Sequence, residues 1–116
     1  MASTQEVVDH HNQCFAKQDL KGVLSDYTSH SVLLLEEGVF TGPEAMVSFF
    51  THLMASLGQP HTVFTPLKSH VEGEFSFATW SAVTPDLIYE LGTDTFVVRD
   101  GKIVAQTFVS RTRPRY

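Results

Sequence analysis

Asp94 is an unusual residue for its surroundings. It lies in the run GTDTFVVRD, two residues before Phe96 and four before Val98. Side chains two apart on a strand share a face. If Phe96 and Val98 turn inward, the carboxylate turns inward with them. A carboxyl group taken out of water resists ionisation, so its pKa rises. A raised pKa lets one group take and return a proton near neutral pH. The plainer reading of Asp94 is a structural carboxylate hydrogen-bonded to a neighbouring strand or helix end. Three other polar side chains could serve the same chemistry. His11 falls at helical spacing with Val7, Val8 and Phe15, and an imidazole can donate a hydrogen bond or shuttle a proton. Tyr27 ends a second helical segment on its apolar side, a core ring whose hydroxyl could reach a pocket. Gln106 shares a strand face with Val104, Phe108 and Ser110. A buried amide needs partners, and Asp94 or a ligand carbonyl could supply one. The opposite phase, with Ile103, Ala105, Thr107 and Val109 inward, is equally apolar. His10 points away from His11 into solvent, His52 belongs to the surface, and nothing singles out His61 or His70.

These groups must be positioned by recognisable elements. Ser3, Thr4 and Glu6 cap an amphipathic helix through VVDHHNQCFAKQD. Asp19 caps a second, LKGVLSDY, with Leu20, Val23, Leu24 and Tyr27 on one side. SVLLLEE reads as a strand that stops at Gly38. A third helix begins after Gly42 at Pro43, carries Met46, Phe49, Phe50, Leu53 and Met54 on its stripe, and stops at Gly58. The hydrophobic period then changes from helical to alternating. TVFTPLKSHV, EFSFATWSAV, LIYELGTDTFVVR and KIVAQTFVSR are four strands, separated by turns at Gly73-Glu74, Thr84-Pro85-Asp86 and Asp100-Gly101. Pro66 marks an edge or a bulge. Helices followed by hairpin-linked strands give an α+β architecture: one antiparallel sheet with three N-terminal helices on a single face. A sheet curved around them makes a cone with a cavity, walled by Phe49, Leu53, Phe96 and Phe108. EFSFATWSAV can turn either Phe75 and Phe77 or Trp80 toward that cavity. An apolar outer face is costly in a monomer, so this reading implies a second subunit against the sheet.

Three motifs in this order resemble the nuclear transport factor 2-like superfamily, and within it the SnoaL-like polyketide cyclases and ketosteroid isomerases. They are FAKQDLKGVLSDY, GVFTGPEAMVSFF and TDTFVVRDGKIV, and the resemblance runs from about Glu6 to Arg111. It implies the cone, a homodimer through the sheet, and isomerisation, aldol-type cyclisation or dehydration of an apolar carbonyl compound. In the isomerases, an aspartic acid matching Asp94 binds the developing enolate oxygen, a case known in general terms for a carboxyl kept neutral by its apolar site. In the cyclases a pocket aspartate nearby serves as acid–base. The isomerases carry a tyrosine where His11 stands. Their general base, a carboxylate near the end of the first strand, matches Leu35, with Glu36 next. The resemblance also covers non-catalytic binding and dimerisation modules of the same shape. A catalytic site is expected to hold Asp94 within hydrogen-bond reach of a second titratable group.

Length and composition narrow the rest. The 116 residues suit a single domain with one core, and nine Phe exceed what a minimal core requires. A net charge of -5, with basic residues gathered only at Arg111, Arg113 and Arg115, disfavours a nucleic-acid surface. Cys14 stands alone, so neither an internal disulfide nor a thiolate metal framework is expected; it reads as a buried helix thiol. The start MASTQEVVDHH lacks the pattern of a secretory leader, and no apolar run is long enough to span a membrane. A cytoplasmic location is the expectation. The absence of metal-ligand clusters, phosphate-binding Gly loops and nucleophile elbows leads us to expect no cofactor.

Overall fold

The computed structural model describes residues 2–116. Helices α1 (Thr4–Ala16) and α2 (Leu20–Leu24) precede strands β1 (Tyr27–Leu35) and β2 (Gly38–Thr41). Helix α3 (Pro43–Leu57) follows, then β3 (Val63–Glu72), β4 (Phe75–Val83), β5 (Leu87–Arg99) and β6 (Lys102–Pro114). The six strands form one curved sheet in the order β2-β1-β6-β5-β4-β3. The architecture is the α+β cone anticipated from the element order.

Three details differ from the sequence reading. The sheet is mixed, because β1 runs parallel to β6 while every other pair is antiparallel. The β3–β6 meander leaves β6 with a free edge, and β1, distant in sequence, docks there. Alternation within β1 carries no information about which strand it will pair with. Strand β1 stops at Leu35, short of Gly38, and Gly38 itself opens β2, a four-residue strand that the sequence pattern did not show. Tyr27 is not a helix residue. Helix α2 closes at Leu24 with Ser25 as its cap, and Tyr27 begins β1.

Local chemistry accounts for the element ends. The Ser3 hydroxyl accepts from the Glu6 backbone N–H at 3.1 Å, while the Ser3 N–H donates to Glu6 Oε1 at 2.9 Å, a reciprocal capping box. Thr4 Oγ1 donates to the Gly73 carbonyl at 2.6 Å, which ties the start of α1 to the β3–β4 turn. Asp100 and Gly101 both have positive φ, 53° and 75°, as a two-residue hairpin turn of the primed type requires. Pro66 lies on an edge strand, next to a register shift before Lys68.

The apolar side chains form two clusters. One gathers Val7, Val8, Val23, Leu33, Met46, Phe50 and Ile103 between the helices and β1, β5 and β6. The other joins Trp80, Ala82, Tyr89 and Phe108 to Leu53 and Leu57 of α3. Between them the cone stays hollow. Strand β3 is exposed along its whole length, so its border with α1 forms the mouth.

Candidate functional site

The hollow has a volume of about 530 Å³, within the range of small-molecule sites. Asp94 stands at its floor with both carboxylate oxygens engaged. Trp80 Nε1–H donates to Oδ2 at 3.1 Å, and Gln106 Nε2–H donates to Oδ1 at 3.0 Å. The Gln106 carbonyl oxygen in turn accepts from the Tyr27 hydroxyl. The carboxylate fixes which end of the amide faces it, because an ionised Asp only accepts and must meet the N–H, which leaves the amide oxygen for the phenol.

The backbone explains how this cluster assembles. Asp94 is in register with Ala78 on β4, whose methyl leaves space above the carboxylate. Trp80 is in register with Gly92. A β-carbon at Gly92 would sit 2.1 Å from Cε2 of the indole. Only a residue without a side chain lets the indole lie across β5 and extend its N–H to Asp94. Gln106 pairs with Phe96 and reaches Asp94 diagonally across the β5–β6 ladder.

Burial pushes the Asp94 carboxyl up to about 6, while the hydrogen bonds from Trp80 and Gln106 oppose the rise. Burial, aided by the neighbouring His10, pushes His11 down to about 4, so its imidazole is neutral at physiological pH. The His11 ring stands edge-on to Tyr27, Phe50 and Phe96, with centroids 6.0, 5.8 and 5.1 Å away. Its Nδ1 is buried without a hydrogen-bond partner. Burial and then the Asp94 charge push the Tyr27 hydroxyl well up, which keeps it a proton donor toward Gln106.

Of the residues singled out in the sequence, Asp94, His11, Leu53, Phe96, Gln106 and Phe108 line this one cavity. Tyr27 joins through Gln106 rather than by lining the wall. Phe49 stands aside. It packs against Phe50 and Phe108 at 5.0 Å from each and faces a second hollow of about 550 Å³ between α3 and β5–β6. Consecutive helix residues diverge by about 100°, so Phe50, not Phe49, lines the cavity and packs against His11 and Tyr27. Leu35 packs against both apolar clusters. Glu36 lines the second hollow and accepts two hydrogen bonds from Arg111, at 2.6 and 3.1 Å. It does not line the cavity of Asp94. The direct partners of Asp94 are an indole and an amide; the nearest titratable group in the network, Tyr27, is one hydrogen bond further away.

Trp80 is the site residue that pattern alone left undecided. Strand β4 turns Ser76, Trp80 and Ala82 inward and leaves Phe75 and Phe77 58% and 42% exposed. Gly92 was the available signal: a glycine on the face of Asp94, two residues away, leaves a gap that a large cross-strand neighbour fills. Strand β6 resolves its ambiguity by a register shift. Gln106 and Phe108 face inward, the phase that the family resemblance favours, but the shift between Val97 and Val98 buries Ile103 as well. Outside the cavity, His10 is half-exposed yet tied to Asp26 at 2.8 Å rather than freely solvated, and Cys14 is buried beside it. Among the described residues no group of three or more His, Cys, Asp or Glu side chains is placed to hold a metal ion. No helix among them is long and apolar enough to cross a membrane.

The sequence profile of the SnoaL-like domain matches residues 8–106. The chain belongs to the SnoaL-like domain family. Solved structures agree on the shape of this SnoaL-like cone. A candidate polyketide cyclase from Sinorhizobium meliloti superposes with a TM-score of 0.70 at 16% identity, over 89% of this chain and 93% of that one. A candidate ketosteroid isomerase from Kribbella flavida gives 0.74 at 13% identity, over 93% and 77%. A de novo designed protein with a curved β-sheet gives 0.76 at 15% identity, over 93% and 84%. At such identities the likeness is one of fold, and a fold carries no reaction by itself. No curated protein matches the chain.

Proposed function

We propose that this SnoaL-like chain acts as a single cofactor-independent domain that moves a proton next to the carbonyl of an apolar substrate. Isomerisation, aldol-type cyclisation and dehydration all begin with such a step. The observation that carries the proposal is Asp94 at the cavity floor, with one N–H donor on each oxygen. Both donors favour the ionised carboxylate. They therefore support Asp94 as a base more than as the neutral donor of the isomerases. His11, neutral and part of the cavity lining, is suited to hydrogen-bond the substrate oxygen. Gln106 and Tyr27 hold the base in place, and Leu53, Phe96 and Phe108 supply the apolar wall.

The test is hydrogen–deuterium exchange at the α-carbon of a panel of cyclic ketones, followed by NMR. The wild-type rate should climb as pH rises through about 6, where Asp94 ionises. Asp94→Asn should slow exchange by a factor of about 10²–10⁴, the usual worth of a positioned acid or base, with the circular dichroism unchanged. Equal rates in wild type and variant would defeat the proposal.

A second reading is a binding module with no chemistry. It is favoured by Leu35 at the position where the isomerases carry their base, and by the lack of a titratable group in direct contact with Asp94. In that case Asp94→Asn leaves affinity for a neutral ligand nearly unchanged and no exchange is seen in either protein. On both readings the outer face of the sheet is covered by a second copy of the chain, and the site works in the cytoplasm without nucleic acid or membrane.

A further inference from the structure

We infer that the cavity is a receptor for hydrophobic organic ammonium ions, with the cationic nitrogen against Asp94 and the hydrocarbon against Trp80, Phe96 and Phe108. This rests on Asp94 being the ionised group of a ligand cavity, as proposed above, but not on turnover.

The starting observation is an uncompensated charge. The ion pairs among the described residues join His10 to Asp26, Arg99 to Glu74, Arg111 to Glu36 and Arg113 to Glu90; none involves Asp94. Its two partners, Trp80 and Gln106, are neutral dipoles. A carboxylate offers roughly four lone-pair sites, so two remain for a ligand. Isolating such a charge from water is costly unless a counter-charge arrives.

The other groups facing the cavity do not supply one. Helix α1 contributes neutral His11 and, near the mouth, Asp9; β1 contributes the Tyr27 hydroxyl through Gln106; α3 contributes Phe50, Leu53 and Leu57 and nothing titratable. The basic side chains at the border, Lys68 and His70, belong to exposed β3. They stand in register with Thr79 and Phe77, on the face turned away from Trp80 and Asp94. The interior is thus negative at its floor and lacks a compensating cation.

Its walls suit a cation as well. Phe64 stacks on one face of Trp80 at 5.2 Å, and the rings of Phe96 and Phe108 complete the aromatic lining. Aromatic faces attract ammonium groups, most strongly where water is excluded. A carboxylate among aromatic rings therefore sorts ligands by charge: ammonium first, neutral isosteres next, carboxylates last.

Isothermal titration of phenethylamine, phenethyl alcohol and phenylacetate tests this with three ligands of one shape. At about pH 7.5 the amine should bind roughly tenfold or more tighter than the alcohol, and phenylacetate should bind weakest. The amine's advantage should shrink at about pH 5, where Asp94 takes up its proton. Asp94→Asn should bring amine and alcohol to equal affinity, with an unchanged circular dichroism spectrum reporting an intact fold. An amine no tighter than the alcohol in the wild type overturns the inference. So does an advantage that survives in Asp94→Asn. Ketone exchange on the same samples separates the two proposals. Amine preference without Asp94-dependent exchange sinks only the catalytic reading; Asp94-dependent exchange without amine preference sinks only this one.

Discussion

Asp94 and His11 oppose one another in the response of stability to pH. Asp94 has its pKa raised from 3.8 to about 6 in the fold. Between those values the native state holds a proton that the unfolded chain has released. Its contribution is present below 3.8 and is lost as pH climbs through about 6. His11 runs the other way, from 6.5 down to about 4. Its contribution is present above 6.5 and is lost as pH falls through about 4. Each is worth on the order of 3 kcal/mol, so in the wild type the two slopes largely cancel between about pH 4 and 6. Removing one should expose the other. Denaturant unfolding of Asp94→Asn should show stability rising with pH across this window, and His11→Asn should show it falling. Parallel profiles in both variants and the wild type would mean that neither group is perturbed as described.

At the scale of elements, the β4–β5 pair does the positioning. The Trp80 indole occupies the space where a side chain on Gly92 would project, and that placement brings Nε1 to Asp94. Gly92→Ala should force the indole off β5, at a cost of about 1–3 kcal/mol for overpacking, and break the hydrogen bond to Oδ2. Thermal unfolding reads the first effect and near-ultraviolet circular dichroism of the single tryptophan reads the second. An alanine variant with wild-type melting and an unchanged indole signal would show that the ring has room elsewhere. Trp80→Phe separates packing from hydrogen bonding. It keeps a ring but removes the donor, so the Asp94 pKa, followed by NMR titration, should move further up.

The whole molecule presents one conspicuous surface, the convex side of its sheet. Two rows cross four strands in register: Leu34, Thr107, Thr95 and Phe77, then Val32, Ala105, Val97 and Phe75. Neither row carries a charge, and Phe75 is 58% exposed. We propose this face as the contact for a second copy, because exposed apolar side chains gathered on one face favour association and a closed two-fold contact is its commonest form. Sedimentation should give about twice the 12.9 kDa chain mass, and Thr95→Arg, which sets a charge amid these rows, should return it to the monomer. A wild type that sediments as a monomer at high concentration would leave this face without its proposed partner.

Periodicity and capping carried far in this chain. Alternation about Asp94 was enough to turn its carboxylate inward with Phe96 and Val98, and helical spacing was enough to bury His11, because both are properties of a single element. Decisions between elements were not legible. The parallel docking of β1 on β6, the choice between Trp80 and Phe77 in β4, and the divergence of Phe49 from Phe50 each depend on a neighbour distant in sequence. The same holds for Glu36, which looked available until the fold set Arg111 beside it. One strand's pattern states which residues alternate, but only register with the next strand states which way they face. The sequence alone determined that an acid would turn inward, where it stands half-buried at the cavity floor; tertiary structure decided what would hold it, because its hydrogen-bond donors come from two other strands.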